Sequence, residues 1–428
     1  MSLQATNYCC NRRLPDKSLK EDAASVPGNE PKPGKTRILF VDDESSMLQV
    51  LKMGMRSMAD VWDMEFAGNG EEALERIGRK TFDVVVSDMR MPGINGAQLL
   101  SHVLRHHPQT IRIILSGYSD LSDAVNCAGL AHQFLEKPCS LIDLRNCLQR
   151  VTLVKSRLTH EKLCQFTAGL THLPSRPELY LEITDALQSA TASAERIAEI
   201  AAKDPALTAK LLQLSNSAFF GISREVFSVA EAVQFLGVGV IQSLAMTVPI
   251  FSAFDRKKCP ALPLDQIWNH SIKTAVLGRR LLHEQKHDAH RAEQAFCAGL
   301  LHDIGKIILA DSLPVEYATV LDEVRATHTP LIEVEQKHFH ATHAEVGAYL
   351  LALWGLPIPL VEAVACHHHP RRCSVEELCL AGSVHLANAL QYSAAAPPGI
   401  VTSPVDTDYL KHVKLDREFE IWHQELWG

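Results

Sequence analysis

Between residues 36 and 151 the apolar positions come in short unbroken runs, and beyond residue 172 they do not. Ile38-Leu39-Phe40-Val41, Val84-Val85-Val86, Ile111-Arg112-Ile113-Ile114-Leu115 and Gln133-Phe134-Leu135 have the length and β-branched content of strands covered on both faces. Segments with helical spacing lie between them. One opens at Gly70-Glu71-Glu72-Ala73-Leu74, and another at Gly96-Ala97-Gln98-Leu99-Leu100 after the turn Pro92-Gly93-Ile94-Asn95. A third opens near Ser140-Leu141-Ile142-Asp143, where Ser140 is a suitable N-cap. This alternation predicts a parallel sheet covered by helices. From Leu144 to Phe166 the helical spacing continues through Leu148, Val151, Val154 and Leu158. That length suits one helix joining two domains, or a dimerising seam, but is too short to specify a coiled coil.

After His172-Leu173-Pro174 strand patterns vanish and Ala/Leu-rich helical patterns take over. Ala194 to Ala202 is amphipathic, and Asp204-Pro205-Ala206-Leu207 starts a helix with Asp204 as cap and Pro205 at the first helical position. The pattern predicts roughly a dozen helices through residue 392. Ala394 to Thr407 reads as a surface loop, and Tyr409 to Trp427 as a terminal helix docking through Trp422 and Trp427. The expected organisation is a disordered leader over 1–34, broken by Pro15, Pro27, Pro31 and Pro33, and an α/β domain over 35–151. A helical linker over 152–172, an all-α domain over 173–392, and a loop plus helix over 393–428 follow.

The carboxyl ends of the predicted strands carry the polar residues. Asp42-Asp43 end the first run, Asp88 the second, Ser116 the third, and Lys137-Pro138 the fourth. Ligands of open α/β sheets bind at that edge. Clustered carboxylates repel unless a hard divalent cation joins them, and Mg²⁺ suits an oxygen-only set. A carboxylate such as Asp88 is then a competent nucleophile toward phosphorus, with Lys137 and Ser116 contacting the phosphoryl oxygens.

Residues Thr36 to Val151 therefore resemble a two-component receiver domain, which implies a flavodoxin-like, doubly wound five-stranded parallel sheet. The resemblance implies Asp42, Asp43 and Asp88 as Mg²⁺ ligands together with the backbone carbonyl of Arg90. It also implies Asp88 as phosphoacceptor, Ser116 and Phe134 as switch residues, and a sensor histidine kinase as partner.

Composition narrows the remaining choices. With 428 residues and 46% apolar content the chain can fill more than one core. A net charge of −8 argues against a broad nucleic-acid footprint. No run is long and apolar enough to span a bilayer, and the N-terminus lacks a secretory pattern, so a cytoplasmic location is expected. The eleven cysteines form no CxxC pair and read as reduced, mostly buried thiols; Cys9-Cys10 falls in the leader.

The 21 histidines add a second signal. His270, His302-Asp303, His343 and His367-His368 each lie in apolar helical contexts that turn them inward. Such a set can hold one or two transition metals and acidify a bound water. The layout resembles the HD superfamily of metal-dependent phosphohydrolases, and residues 165–392 resemble its HDOD output branch. The HDOD likeness rests on Asp204-Pro205-Ala206-Leu207, Leu214-Ser215-Asn216-Ser217-Ala218-Phe219-Phe220-Gly221, Ala230 to Gly237, and Leu353-Trp354-Gly355-Leu356-Pro357.

The resemblance implies Mn, Fe, Ni or Zn at His270, His302, Asp303, His343, His367 and His368. Two departures from the catalytic pattern stand out. Asn388 occupies the position of a final aspartate ligand, and His367-His368-His369-Pro370 leads directly into Arg371-Arg372 without the glycine-tyrosine-proline loop. Two functions remain open. One is a response regulator whose Asp88 phosphorylation controls an HDOD protein-interaction platform, with a homodimer as a candidate assembly; the other is a receiver-gated phosphohydrolase. Lys306 is expected either on a phosphate or on an internal acid, and His338, His340 and His369 at the surface.

Overall fold

The computed structural model describes residues 35–117, 129–157, 161–170, 173–189, 192–217, 224–247, 252–373, 378–391 and 403–427. The leader, Phe219-Phe220 and most of the Ala394–Thr407 segment lie outside them.

The first domain runs β1 (Thr36–Val41), α1 (Ser45–Gly54), β2 (Trp62–Ala67), α2 (Gly70–Arg79), β3 (Val84–Asp88), α3 (Gly96–His106), β4 (Ile111–Gly117), β5 (Gln133–Lys137) and α4 (Leu141–Arg157). The five strands are parallel in the order β2-β1-β3-β4-β5. The winding direction reverses between β1 and β3, which opens a crevice at their carboxyl ends. β3 is buried along its whole length, as its continuous apolar run requires. Asn69 caps α2 by accepting from the Glu72 amide, and Asn95 forms a capping box with Gln98 at α3. Ser140 Oγ accepts from the Ile142 amide at the start of α4.

Beyond it lie α5 (Glu161–Gly169), β6 (Pro174–Ser175), α6 (Pro177–Gln188), α7 (Ala194–Ala201), α8 (Pro205–Ser215), α9 (Val229–Leu236), α10 (Val238–Thr247) and β7 (Ser252–Ala253). Then come α11 (Leu264–Glu284), α12 (Ala289–Leu301), α13 (Ile304–Ser312), α14 (Pro314–Thr327), α15 (Leu331–Phe339), α16 (His343–Leu353), α17 (Ile358–Cys366) and α18 (Leu380–Leu390). The chain closes with α19 (Thr407–Val413) and α20 (Asp416–Trp427). Asp204 caps α8 through the Ala206 and Leu207 amides, and Asn216 ties the end of that helix to Val226.

The Leu144–Phe166 periodicity falls on α4 and α5, with residues 158–160 outside the described ones. Two features differ from the sequence expectation. β6 and β7 form a two-residue parallel pair inside the helical domain, too short to leave a periodic trace. The terminal helix is two helices, because Lys414 adopts a left-handed conformation (φ 58°) between them. Trp422 does dock, donating from Nε1 to Glu284 at 2.6 Å; the Trp427 side chain lies outside the described residues.

One face of the sheet shares a continuous apolar cluster with the helical domain, from Ile38, Val84 and Ile113 through α4 to the helices beyond. The other face keeps its own cluster, including Leu39, Val85 and Phe134. Arg112 is buried at the seam. Its guanidinium donates to the carbonyls of Leu130 (2.6 Å), Thr110 (2.9 Å) and Ala168 (3.0 Å), and burial pushes its pKa down to about 9.

In the helical domain, α13 and α16 cross at glycine. A Cβ on Gly305 would collide with the carbonyl of His343, and one on Gly347 would lie 3.1 Å from the Gly305 amide. Gly305→Ala should therefore lower stability by about 2 kcal/mol through overpacking. Gly78→Ala, on the exposed face of α2 with open space around it, should raise stability by about 0.5 kcal/mol. Thermal melts of the two variants should move in opposite directions.

Candidate functional site

The crevice of the first domain collects the strand-end residues. β1 leads into buried Asp42 and exposed Asp43, and β3 ends at buried Asp88. One oxygen from each of these three carboxylates lies within 4.8 Å of the others. β5 ends at Lys137, whose Nζ is 2.7 Å from Asp42 Oδ2 and 2.8 Å from Asp88 Oδ1. Burial raises the Asp88 carboxyl above its ordinary range, with Lys137 pulling the other way and Asp42 adding to the rise. Burial would lower the Lys137 ammonium, but its bonds to Asp42 and Asp88 outweigh that and leave it raised. Ser116 pairs by its backbone with Glu136; its side chain lies outside the described residues. Phe134 is buried in the cluster behind β3 and β5, and the Arg90 side chain is exposed. Three carboxylates against one ammonium leave an excess of negative, hard oxygen donors, which fits Mg²⁺.

The helical domain builds a second centre around Asp303. This carboxyl is 1% exposed, at the turn between α12 and α13. Its Oδ2 accepts from Lys306 Nζ at 2.7 Å and lies 3.4 Å from His302 Nε2 and 3.8 Å from His270 Nε2. Its Oδ1 lies 3.3 Å from His343 Nε2 and 3.9 Å from His367 Nε2. Burial works to raise this carboxyl, but His302 and Lys306 overcome it and hold it well below the carboxylate range. His368 Nε2 is 3.0 Å from His343 Nε2. Two triads result, His270–His302–Asp303 and His343–His367–His368, each with ligand atoms within 4.8 Å of one another.

The outer ring nitrogens fix how these imidazoles point. His302 Nδ1 contacts the Gly299 carbonyl at 2.7 Å, and His367 Nδ1 the Val364 carbonyl at 2.7 Å. A carbonyl can only accept, so each Nδ1 carries the proton and each Nε2 presents a lone pair inward. His270 Nδ1 is held by Gln391 Oε1 at 3.1 Å, and Gln391 in turn donates to Thr274. The Nε2 atoms of His270, His302 and His367 are buried with no hydrogen-bond partner. Buried acceptors left open in this way cost free energy unless something occupies them, and three inward lone pairs beside a carboxylate suit a transition metal.

Several contributors were not evident in the sequence. Glu335 is fully buried on α15 and accepts from Tyr317 Oη (2.9 Å), the His343 amide (2.9 Å) and His343 Nδ1 (2.7 Å). The one trace of it is its position: Leu331, Val334, Glu335 and Phe339 form the buried stripe of α15. Ser403 Oγ lies 3.1 Å from His368 Nδ1, and His385 links the His367 carbonyl to the Asp406 amide. Lys306 is on the internal acid. His338, His340 and His369 are exposed. Asn388 is buried on α18 with its Oδ1 unpartnered.

Comparison with known proteins agrees with this division. A response regulator receiver domain matches residues 38–149, and an HDOD domain matches residues 173–370. An uncharacterised protein of Treponema pallidum is 29% identical over 221 residues, covering 50% of this chain and 41% of its own. The DNA-binding transcriptional regulator NtrC of Escherichia coli K12 is 36% identical over 124 residues, covering 29% of this chain and 25% of its own. The chain thus spans well under two-thirds of either relative. Among solved structures, the MmoQ response regulator of Methylococcus capsulatus is 26% identical, covers 59% of this chain and 98% of its own, and has a TM-score of 0.45. The chain carries a receiver domain joined to an HDOD domain. That pairing supports a two-component response regulator with an HD-related output domain.

The buried imidazoles set a pH dependence. Burial pushes His270 down to about 3, and lowers His302, His367 and His368 as well. Their folded values lie below the unfolded value near 6.5, so the unfolded chain binds more protons in acid and stability falls as pH drops through that range. Glu335 reverses the sign for His343: burial would lower it, but the carboxylate leaves it raised, and its contribution is lost as pH rises. Four groups oppose one. Metal-free protein should lose about 1 kcal/mol per depressed histidine for each pH unit below 6.5. A melting temperature unchanged between about pH 7.5 and about 5.5 would contradict this assignment of neutral rings.

Proposed function

We propose that the chain is a phosphorylation-dependent switch in which Asp88 accepts a phosphoryl group and the HDOD domain acts as a protein-interaction platform. The observation that carries the reading is Lys137 Nζ held between Asp42 Oδ2 and Asp88 Oδ1 in a crevice rich in acids. An Asp88 oxygen attacks the phosphorus of a kinase phosphohistidine. The phosphorus–nitrogen bond breaks, and its electron pair and a proton return to the donor imidazole. Mg²⁺ held by Asp42, Asp43, Asp88 and the Arg90 carbonyl supplies charge neutralisation when bound. Lys137 follows the negative charge onto the phosphoryl oxygens. Ser116 contacts the same group, and Phe134 moves toward the space that Ser116 leaves. The result is a shift in population between two receiver arrangements.

The open Nε2 atoms of His270, His302 and His367 favour a second reading, in which the HDOD domain holds Mn, Fe, Ni or Zn. His270, His302, Asp303, His343, His367 and His368 would be the ligands. Such a metal, when bound, acidifies a water for attack on a phosphoester. Lys306 on Asp303 and the neutral Asn388 weigh against turnover, so binding is the firmer half of this reading.

Two measurements follow. Acetyl phosphate with Mg²⁺ should add one phosphoryl group to the intact protein and none to Asp88→Ala; equal mass gain in both would place the acceptor elsewhere. Protein expressed with ample metal should retain a transition metal through gel filtration, and Asp303→Ala should lose it. Trace metal in the parent would remove the second reading and leave the first intact.

A further inference from the structure

One side chain joins the receiver to the helix that begins at the histidine centre. Gln133, 6% exposed at the first position of β5, donates from Nε2 to the carbonyls of Ala352 (3.3 Å) and Leu353 (3.1 Å). These are last-turn carbonyls of α16; that of Ala352 also accepts from the Gly355 amide at 3.0 Å, and neither has a partner within the helix. Gln133 Oε1 accepts from Cys147 Sγ at 2.9 Å, so the amide is fixed from both sides.

Both connected elements run from this contact into a site. β5 extends from Gln133 to Lys137, about 13 Å for its five residues. Lys137 and Gln133 share a strand face, two pleats apart. α16 spans about 16 Å from that last turn back to its first residue, His343, 3.3 Å from Asp303 Oδ1. Its amino end is locked by a capping box between Thr342 and Glu345. The Gly305–Gly347 crossing then fits the first turn of α16 against the turn that follows Asp303. With no space at the crossing, α16 cannot slide without moving the Asp303 turn.

We propose that Gln133 is the joint through which the state of Asp88 sets the position of α16, and through it the geometry of His343 and Asp303. The proposal rests on Asp88 as phosphoacceptor and adds the route of regulation. Phosphorylation removes the Asp88 oxygen charge that Lys137 binds and offers phosphoryl oxygens instead. β5 follows Lys137, and Gln133 carries the shift onto α16. Gln133 is a positioning residue and touches no reacting atom.

The test uses full-length protein, with beryllium fluoride and Mg²⁺ as a stable mimic of the acyl phosphate, and backbone hydrogen exchange as the readout. In the parent, receiver peptides and the 343–353 peptide should both change, the latter by about five-fold in rate, the lower range for coupling between two sites. In Gln133→Leu, similar in size but without the donors, the receiver peptides should still respond and the 343–353 response should vanish. Gln133→Asn, which keeps an amide on a shorter stem, should give the same loss and serves if the leucine variant does not fold. An undiminished 343–353 response in either folded variant overturns the joint. A parent whose receiver responds without any change at 343–353 also overturns it, and leaves Asp88 standing. A receiver that does not respond at all removes both.

Discussion

Asp303 is an ionised carboxyl almost wholly removed from water, and the helical domain is arranged around answering that charge. An unpaired carboxylate at this depth would be neutralised or expelled. Lys306, one turn along α13, supplies the compensating cation at 2.7 Å. Four imidazoles from α11, α16 and the ends of α12 and α17 surround the carboxyl, with the Nε2 lone pairs of His270, His302 and His367 turned inward, so Lys306 answers the charge and the rings converge as metal donors would. The glycine crossing of α13 and α16 follows from the same demand, since His343 cannot reach Asp303 unless the backbones touch.

The receiver solves a related problem at a different depth. Asp42 and Asp88 are buried and Lys137 bridges them, but Asp43 stays exposed and the crevice opens toward solvent. The difference has a functional logic. A salt bridge sealed on every side persists because breaking it strands a charge. One at the mouth of a crevice can exchange its carboxylate for an incoming anion. Both domains thus hold a lysine on a buried aspartate, and only the receiver's pair is accessible for exchange.

How much of this was legible in the sequence depended on whether the signal was local. β1 and β3 are covered on both faces, so each left an uninterrupted apolar run, and β4 left one broken only by the buried Arg112. β2, at the sheet edge, is buried only at Trp62 and Ala67 and carries Asp63 and Glu65 between them, so it left no such run, although the fold class demanded a fifth strand. The inward histidines could be picked out because they lie in helical segments rich in apolar residues, such as Gly299-Leu300-Leu301 before His302 and Ala363-Val364-Ala365 before His367. Glu335 could not, since an acid on an amphipathic helix ordinarily faces water. The Gln133 contact was invisible for a deeper reason. Its acceptors are backbone carbonyls of α16, and a carbonyl's availability depends on where the helix ends and what docks there. Lys414 misled in the opposite sense: a lysine in the left-handed region carries no warning of the kind a glycine gives.

Asn388 changes what the HDOD centre can hold. With Asp303 and Glu335 negative and Lys306 positive, the named groups around the imidazoles sum to a single negative charge. One divalent cation would be carried by that charge and by neutral ring nitrogens, as in histidine-rich sites generally. A second would face the first at short range in a poorly screened interior, where repulsion between like charges is large. An aspartate at 388 would add the missing charge; the amide, buried with its Oδ1 unpartnered, does not. The geometry offers two triads, one of which contains a carboxylate, but the electrostatics support one ion at a time. A hydrolytic reaction that needs two metals is therefore disfavoured in this chain on charge alone, whereas a single ion would stiffen the meeting point of α11, α13, α16 and α17. That stiffness is what a binding platform driven by small receiver movements requires, because a soft centre would absorb the displacement before it reached the surface.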